Sequence, residues 1–391
     1  MRYANQSVLM GVIAAVVFGA CATTARVGAE KPGDMQGPLA PDRASRGLED
    51  SALVAVVDSF TRAFAAADSF SGVVMLARDD DTLYSFANGF ADRASGTRNG
   101  PNTRFNLASN DKYFTRIAIR QLQQAGKLTL ADLVGTHLPD YPNARVRNEV
   151  TIKHLLDGRS GLRGFDSDDD RKYRANRMKL RSIDDYLALF ATDSLHSTPG
   201  ATYAYSNAGY VVLGKIIEAA SGQSYYDYVR RHIFEPAGMA STGYYAVDEV
   251  VANMAVPYTT SAKAMGNFAA GAKLPERQSA TPLLAYRGSS AGGGYSTAHD
   301  LLRLARAITS HRLLDAAHTD SLLGFSAQKP GYFEWDGWTG GSEGMNTVYY
   351  LHSTGHVIIV LSNYDPPSAT VYRRMLWNEW FPKILGLKFP A

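Results

Sequence analysis

One cysteine, Cys21, serves a chain of 391 residues. The chain beyond it therefore holds no disulfide, no cysteine nucleophile and no thiolate metal site. Charge of one sign is equally scarce. Forty basic residues against 37 acidic ones leave a formal net charge of +3, with no long run of either sign. That balance excludes a strong field aimed at nucleic acid or an acidic polymer. The nine histidines show no metal-ligand spacing, and nothing calls for a metal or an organic cofactor. No internal repeat is visible. What is present is ordinary globular composition, 45% hydrophobic and 20% charged, enough to bury a full core.

The first residues stand apart from the fold. Arg2 precedes the apolar run Val8 to Ala20, which is followed by Cys21. A charged start, an apolar stretch and small residues at its end describe a secretory signal over residues 1–20, and the run is too short to span a bilayer comfortably. Phe18-Gly19-Ala20-Cys21 resembles a bacterial lipobox, with Phe18 where leucine is usual. Lipidation of Cys21 is the expectation, which implies a membrane-attached protein on the periplasmic side. Ordinary cleavage further on, for instance after Ala29, is the alternative. Residues 21–50 are rich in Gly, Pro, Ala and charge without periodicity and read as a tether. The folded domain is expected over 51–391.

Apolar spacing predicts helices over Leu53 to Ala66, Phe105 to Gly126, Thr151 to Asp157, Val211 to Ala220, Tyr225 to Ile233, Ala298 to Ile308 and Tyr372 to Leu385. Strands are predicted at Ser71 to Ala77 and Leu83 to Ala87, turned at Asp79-Asp80-Asp81. A second pair, Thr347 to His352 and His356 to Ser362, is turned at Ser353-Thr354-Gly355. Strands at both ends with helices between them imply one antiparallel sheet made from distant segments, flanked by helices and carrying a helical insertion. This is an α/β fold of the α+β type.

Ser109-Asn110-Asp111-Lys112 has the spacing Ser-x-x-Lys. Residues three apart share a helix face, so the Lys112 amine can reach the Ser109 hydroxyl. Serine needs such a base because its hydroxyl barely ionises at neutral pH. Burial or neighbouring cations free a lysine for that work. The spacing alone proves little, since Ser326-Ala327-Gln328-Lys329 repeats it. Pro330 follows that second copy and stops a helix from running on. Two further elements add weight. In Tyr205-Ser206-Asn207 the phenol can hold a proton relay and the Asn207 amide can bond a substrate carbonyl. Trp338-Thr339-Gly340-Gly341 is a glycine-rich strand that admits close approach and offers an N–H to an oxyanion.

Taken in order, these motifs resemble the serine β-lactamase and D,D-peptidase superfamily, in the branch of class C β-lactamases and related esterases. The resemblance runs from Ser71 to Asn363. It includes Phe105 to Ser109 leading into the helix, Gly126-Lys127-Leu128-Thr129-Leu130 and Thr151 to Leu156. Ser160-Gly161-Leu162, Tyr205-Ser206-Asn207 and Ala291 to Thr297 follow. It implies Ser109 as nucleophile and Lys112 with Tyr205 as the acid–base pair. It also implies the backbone N–H groups of Ser109 and Gly341 as an oxyanion hole, with Asn207, Trp338 and Gly340 in contact with substrate. One position departs from the pattern: Trp338 stands where the third motif usually begins with Lys or His. In β-lactamases and D,D-peptidases that cation helps hold a substrate carboxylate. An indole has one N–H and no charge, and a lost charged hydrogen bond costs about 1.5–3 kcal/mol. Related esterases carry tryptophan there.

The expectation is therefore a serine hydrolase that acylates at Ser109 and acts on carboxylic esters or small amides. Its alternatives are a β-lactamase or a D,D- or D-amino-acid peptidase on cell-wall substrates, or a non-catalytic peptidoglycan-binding relative. The partner is a small ester, amide or peptide, not nucleic acid. Other motifs read as scaffold. Gly288-Ser289-Ser290-Ala291-Gly292 fits a nucleophile elbow but lacks the following helix, and is expected to line the cleft. Tyr141-Pro142-Asn143 reads as a turn. Asp166, Asp168 and Asp170 begin like a calcium loop that Arg171 and Arg177 spoil. His154 reads as a packed or capping residue. The basic stretch from Arg171 to Arg181 reads as a solvated lid surface.

Overall fold

Strand β1 (Gly72–Arg78) reads Gly-Val-Val-Met-Leu-Ala-Arg, an apolar run with no polar alternation, and is buried almost throughout. Such a strand must be covered on both faces. It lies inside a five-stranded antiparallel sheet with β2 (Asp81–Asn88), β3 (Trp335–Ser342), β4 (Met345–His352) and β5 (His356–Ser362), in the order β2-β1-β5-β4-β3. Side chains alternate between faces. Val73, Met75, Tyr349, Leu351, Ile359 and Leu361 enter one core; Val74, Leu76, Val348, Ile358 and Val360 enter the other. The register sets Gly72 opposite Ser362 and Arg78 opposite His356, so the first and last thirds of the chain close the sheet as expected.

The computed structural model describes residues 43–165, 171–261, 273–324, 335–376 and 380–386. The expected leader, Cys21, the Asp166 to Asp170 stretch and the second Ser-x-x-Lys at 326–329 lie outside the described residues. Helix α1 (Arg43–Ala66) begins well before Leu53, inside the stretch read as tether. Gly47 and the flanking charges mask its periodicity. Its Asp50 accepts hydrogen bonds of 2.9 Å from Arg78 and from His356, contacts that only the folded sheet supplies.

The main group of helices packs on the first core. It includes α2 (Lys112–Gln124), α3 (Asn207–Ser221), α4 (Ala298–Thr309) and α5 (Ala316–Leu323). The opposite face is covered by α1, α6 (Thr370–Met375) and α7 (Phe381–Ile384). The closing helix expected from Tyr372 to Leu385 is described as α6 and α7 on either side of residues 377–379, with Pro382 in the first turn of the latter, where a missing N–H costs nothing. One expectation changes. The helix expected from Phe105 is a short strand, Phe105–Asn106, paired with Tyr295–Ser296. A 3-10 turn, Ala108–Asp111, follows it, and only then does α2 begin. Ala108 has φ +49°, a left-handed conformation that a non-glycine side chain disfavours. A helix cannot pass through it.

Candidate active site

The turn that carries Ser109 is held from three directions. The Asn106 side chain accepts from the Ala108 N–H at 2.9 Å. Gly293 N–H donates to the Ala108 carbonyl at 3.2 Å, and Leu107 N–H donates to Gly294 at 2.8 Å. Gly293 itself has φ +97°, and a Cβ there would fall 2.8 Å from Gly288 Cα. The glycine-rich loop is thus needed for its backbone. These bonds offset the strain at Ala108, of order 1–3 kcal/mol. The result is a serine raised at the mouth of a helix.

Lys112, one turn on, is fully buried. Its Nζ donates to Ser109 Oγ at 2.9 Å and also to the carbonyl of Ala291. Tyr205 arrives from a segment 96 positions away, and its hydroxyl lies 2.6 Å from Ser109 Oγ. Asn207, the first residue of α3, accepts from that hydroxyl at 3.2 Å. The Lys112 ammonium position faces the rings of Tyr205 and Tyr210 at 5.1 and 5.4 Å. Ser109 Oγ, Lys112 Nζ and Tyr205 Oη therefore form one connected set, along which a proton can leave the serine and return to a leaving group. Asn207 touches the tyrosine, so it orients the relay in addition to facing the cleft.

A cavity of about 1250 Å³ opens over Ser109. Tyr205, Asn207, Trp338 and Gly341 line it, as do Phe165, Tyr173 and Tyr186. Gly340 does not line it. A Cβ there would sit 2.2 Å from the Leu107 carbonyl and 3.0 Å from Asn110 N. Its lack of a side chain lets β3 press onto the serine turn rather than admitting substrate. Asn346 holds the strand from behind, its side-chain N–H donating to Gly340 O at 2.7 Å. Trp338 packs edge-on to Tyr210 with centroids 5.8 Å apart.

Ser290 is not a cleft residue. It is fully buried and its hydroxyl donates to Tyr210 O at 2.8 Å; its neighbours Ser289, Ala291 and Gly292 line the cavity instead. Asn143 caps a short helix, accepting from Arg145 and Val146 N–H. His154 completes a capping box with Thr151. In the basic stretch, Arg177 donates to Pro282 O at 2.9 Å and Arg181 lies over the Tyr286 ring, so part of it is tied to the body rather than solvated.

Two acids, Asp111 fully buried and Asp336 largely so, went unnoticed in the sequence. Asp111 accepts from Gly294 N–H at 2.7 Å. Burial pushes its carboxyl up to about 7, against the pull of that N–H, Lys112 and Tyr244. Asp336, on β3, accepts from Arg116 at 3.1 Å and from the Tyr113 hydroxyl. Burial raises its carboxyl too, against the Arg116 charge. Both acids sit beside motif residues, and motif spacing says nothing of their depth.

A five-stranded antiparallel sheet with a serine, a buried lysine and a tyrosine at one end of its helical layer is the architecture of the β-lactamase and penicillin-binding-protein fold. The family model described as Beta-lactamase matches residues 57–378, and the chain belongs to that family. A relative from Bacillus subtilis (strain 168), provisionally named penicillin-binding protein PbpX, is 30% identical over 246 residues, 62% of this chain. The chain spans 56% of that relative's length. The crystal structure of a penicillin binding protein from Bacillus halodurans superposes with a TM-score of 0.68 at 27% identity, covering 80% of this chain and 98% of that one. EstCE1, a hydrolase with promiscuous acyltransferase activity, shares the fold with a TM-score of 0.63 at 22% identity, over 82% of this chain and 95% of its own.

Proposed function

We propose that this protein hydrolyses carboxylic esters or small amides through an acyl-enzyme on Ser109. It belongs, on this reading, to the class C-like branch and is esterase-like in its third motif. Ser109 Oγ attacks the carbonyl carbon while its proton passes to the Tyr205–Lys112 pair. The tetrahedral oxyanion lies against the backbone N–H groups of Ser109 and Gly341. Collapse expels the alcohol or amine, which takes up that proton. Water then attacks the acyl-enzyme by the reverse path and frees the acid. The observation that carries the reading is the pair of contacts on one oxygen, 2.9 Å to Lys112 and 2.6 Å to Tyr205.

Trp338 supports the preference for substrates without a carboxylate. It lines the cavity where the family's cation would stand, and an indole offers no charge to an anion. The penicillin-binding relatives favour a second reading, slow acylation by a β-lactam without rapid release. The exported, lipid-anchored placement rests on residues 2–21 alone.

Kinetics with a chromogenic short-chain ester test the proposal. Ser109→Ala is expected to lower turnover at least about a thousandfold with the thermal midpoint unchanged; full activity in that variant overturns the assignment. Rapid cephalosporin turnover by the wild type overturns the reading of Trp338. Failure of a covalent serine probe to label Ser109 favours a non-catalytic binding protein.

A further inference from the structure

Among the described residues, strand β3 is the edge of the sheet and pairs only with β4. A strand held by one ladder is free to swing about it unless further contacts fix it. The face of β3 that carries Asp336, Trp338 and Gly340 meets the serine turn and α2. Gly340 touches the turn by packing alone. Further along the strand, Asp336 reaches α2 through charge. Arg116 Nη1 donates to Asp336 Oδ1 at 3.1 Å, and the Tyr113 hydroxyl donates to Oδ2. The Arg116 fork also engages α5, Nη2 donating to Leu322 O at 2.8 Å. The guanidinium lies 5.3 Å from the Tyr113 ring centroid and 6.0 Å from that of Trp338. Trp338 is thereby flanked by Arg116 and Tyr210.

Arg116 lies one turn past Lys112 on the same helix. Asp336 lies two residues before Trp338 and five before Gly341 on the same strand. Little of either charged side chain is exposed, 22% for Arg116 and 13% for Asp336. Neither residue lines the cavity, so neither touches substrate.

We infer that Arg116 and Asp336 are positioning residues that lock the edge strand bearing Trp338 and the Gly341 N–H to the helix bearing Lys112, fixing the spacing between the oxyanion donor and Ser109. The inference rests on the acyl-enzyme reading given above. A buried pair of this kind adds little net stability over apolar side chains of similar volume, whereas removing one member strands a charge. Its value lies in geometry, because donors must sit within a few tenths of an ångström of the developing oxyanion to act on it. A planar fork that engages an acid and a carbonyl together sets direction as well as distance, which a lysine cannot do.

The test follows from that asymmetry. Single variants strand a charge and can fail to fold, so the decisive protein is the double variant Arg116→Met/Asp336→Leu in a Tyr113→Phe background, where no buried hydroxyl loses its acceptor. It is expected to keep a thermal midpoint close to wild type. Its kcat on a chromogenic short-chain ester should fall about tenfold or more, with KM changed less than about threefold. The rate of Ser109 labelling by a fluorophosphonate, which also needs the oxyanion donors, should fall in parallel. Arg116→Lys should keep the charge and restore only part of kcat. A stable double variant with wild-type kcat and labelling rate overturns the inference. Equal losses of midpoint and activity overturn it too, because they reduce the pair to scaffold. If the wild type itself neither turns over ester nor labels at Ser109, the acyl-enzyme reading has failed, and this inference falls with it. That outcome is read in the wild type, before any variant.

Discussion

On the face of the sheet covered by α1, α6 and α7, the strands meet almost nothing but apolar side chains. Leu53, Val57 and Phe60 of α1 pack on Val74, Leu76, Ile358 and Val360. The Phe60 ring meets Tyr372 at 5.0 Å and Trp380 at 5.5 Å. Polar contacts are few there: the Tyr372 hydroxyl donates to Thr61 at 3.1 Å, and at one end His356 pairs with Asp50 and its ring meets Phe381. The opposite face buries Lys112 and Asp111, covers most of the Arg116–Asp336 pair, and holds the left-handed Ala108. The first face is built for cohesion. The second spends stability on desolvated charge and a strained turn so that three polar atoms meet at Ser109. Strain and desolvated charge of this kind collect at functional sites.

Substitutions that act on one face only sharpen that contrast. The largest effect is expected from Leu53→Ala on the cohesive face. Leu53 is fully buried, and the cavity left behind should cost about 2–5 kcal/mol of unfolding free energy. Ester kcat at a temperature where the variant is folded should be unchanged. Denaturant unfolding and steady-state kinetics on the same sample check both halves, and a large fall in kcat would erase the distinction between the faces. Gly340→Ala comes next. The added carbon would meet the Leu107 carbonyl at 2.2 Å, so β3 must move off the serine turn. A loss of about tenfold to a hundredfold in kcat is expected, with a smaller loss of stability of about 1–3 kcal/mol.

The smallest effect is a pair of opposed pH slopes. The Asp111 carboxyl is raised to about 7, so the folded state holds a proton that the unfolded chain has already released. Its favourable contribution is present below about pH 4 and is lost as pH rises toward 7. His352 behaves in the opposite sense. Burial, with His356 and Arg78 nearby, pushes its imidazole down to about 3. The unfolded chain then takes up the proton first, so this contribution is present above about pH 6.5 and is lost as pH falls. Against Asp111→Asn, the wild type should lose roughly 2–4 °C of thermal midpoint between pH 4.5 and 7.5. Against His352→Gln, it should lose a similar amount as pH falls from 7 to 4.5. Parallel pH profiles for wild type and variant would remove the corresponding group from the account.

Much of the cohesive face could be read from the chain directly. The runs Val73 to Leu76 and Val357 to Leu361 announce strands, and the 3.6-residue spacing from Leu53 announces α1. Such patterns are local, and burial of an apolar stripe follows from them wherever the partner lies. The cleft face was legible only where a motif is local too. Ser109 and Lys112 stand three apart, and the bond between them needs only a turn of helix.

The tertiary structure decided the rest. It brought Tyr205 to Ser109 across 96 positions and Asp336 to Arg116 across 220. It turned Ser290 inward, turned Gly340 from substrate contact into a packing contact, and bent the chain at Ala108. No periodicity carries these outcomes, because they depend on which buried polar atoms find partners once the sheet has closed. By itself the sequence determined most of the strands and helices, the Ser109–Lys112 pair and the indole at Trp338. Long-range contact between desolvated groups then decided how those parts could act together.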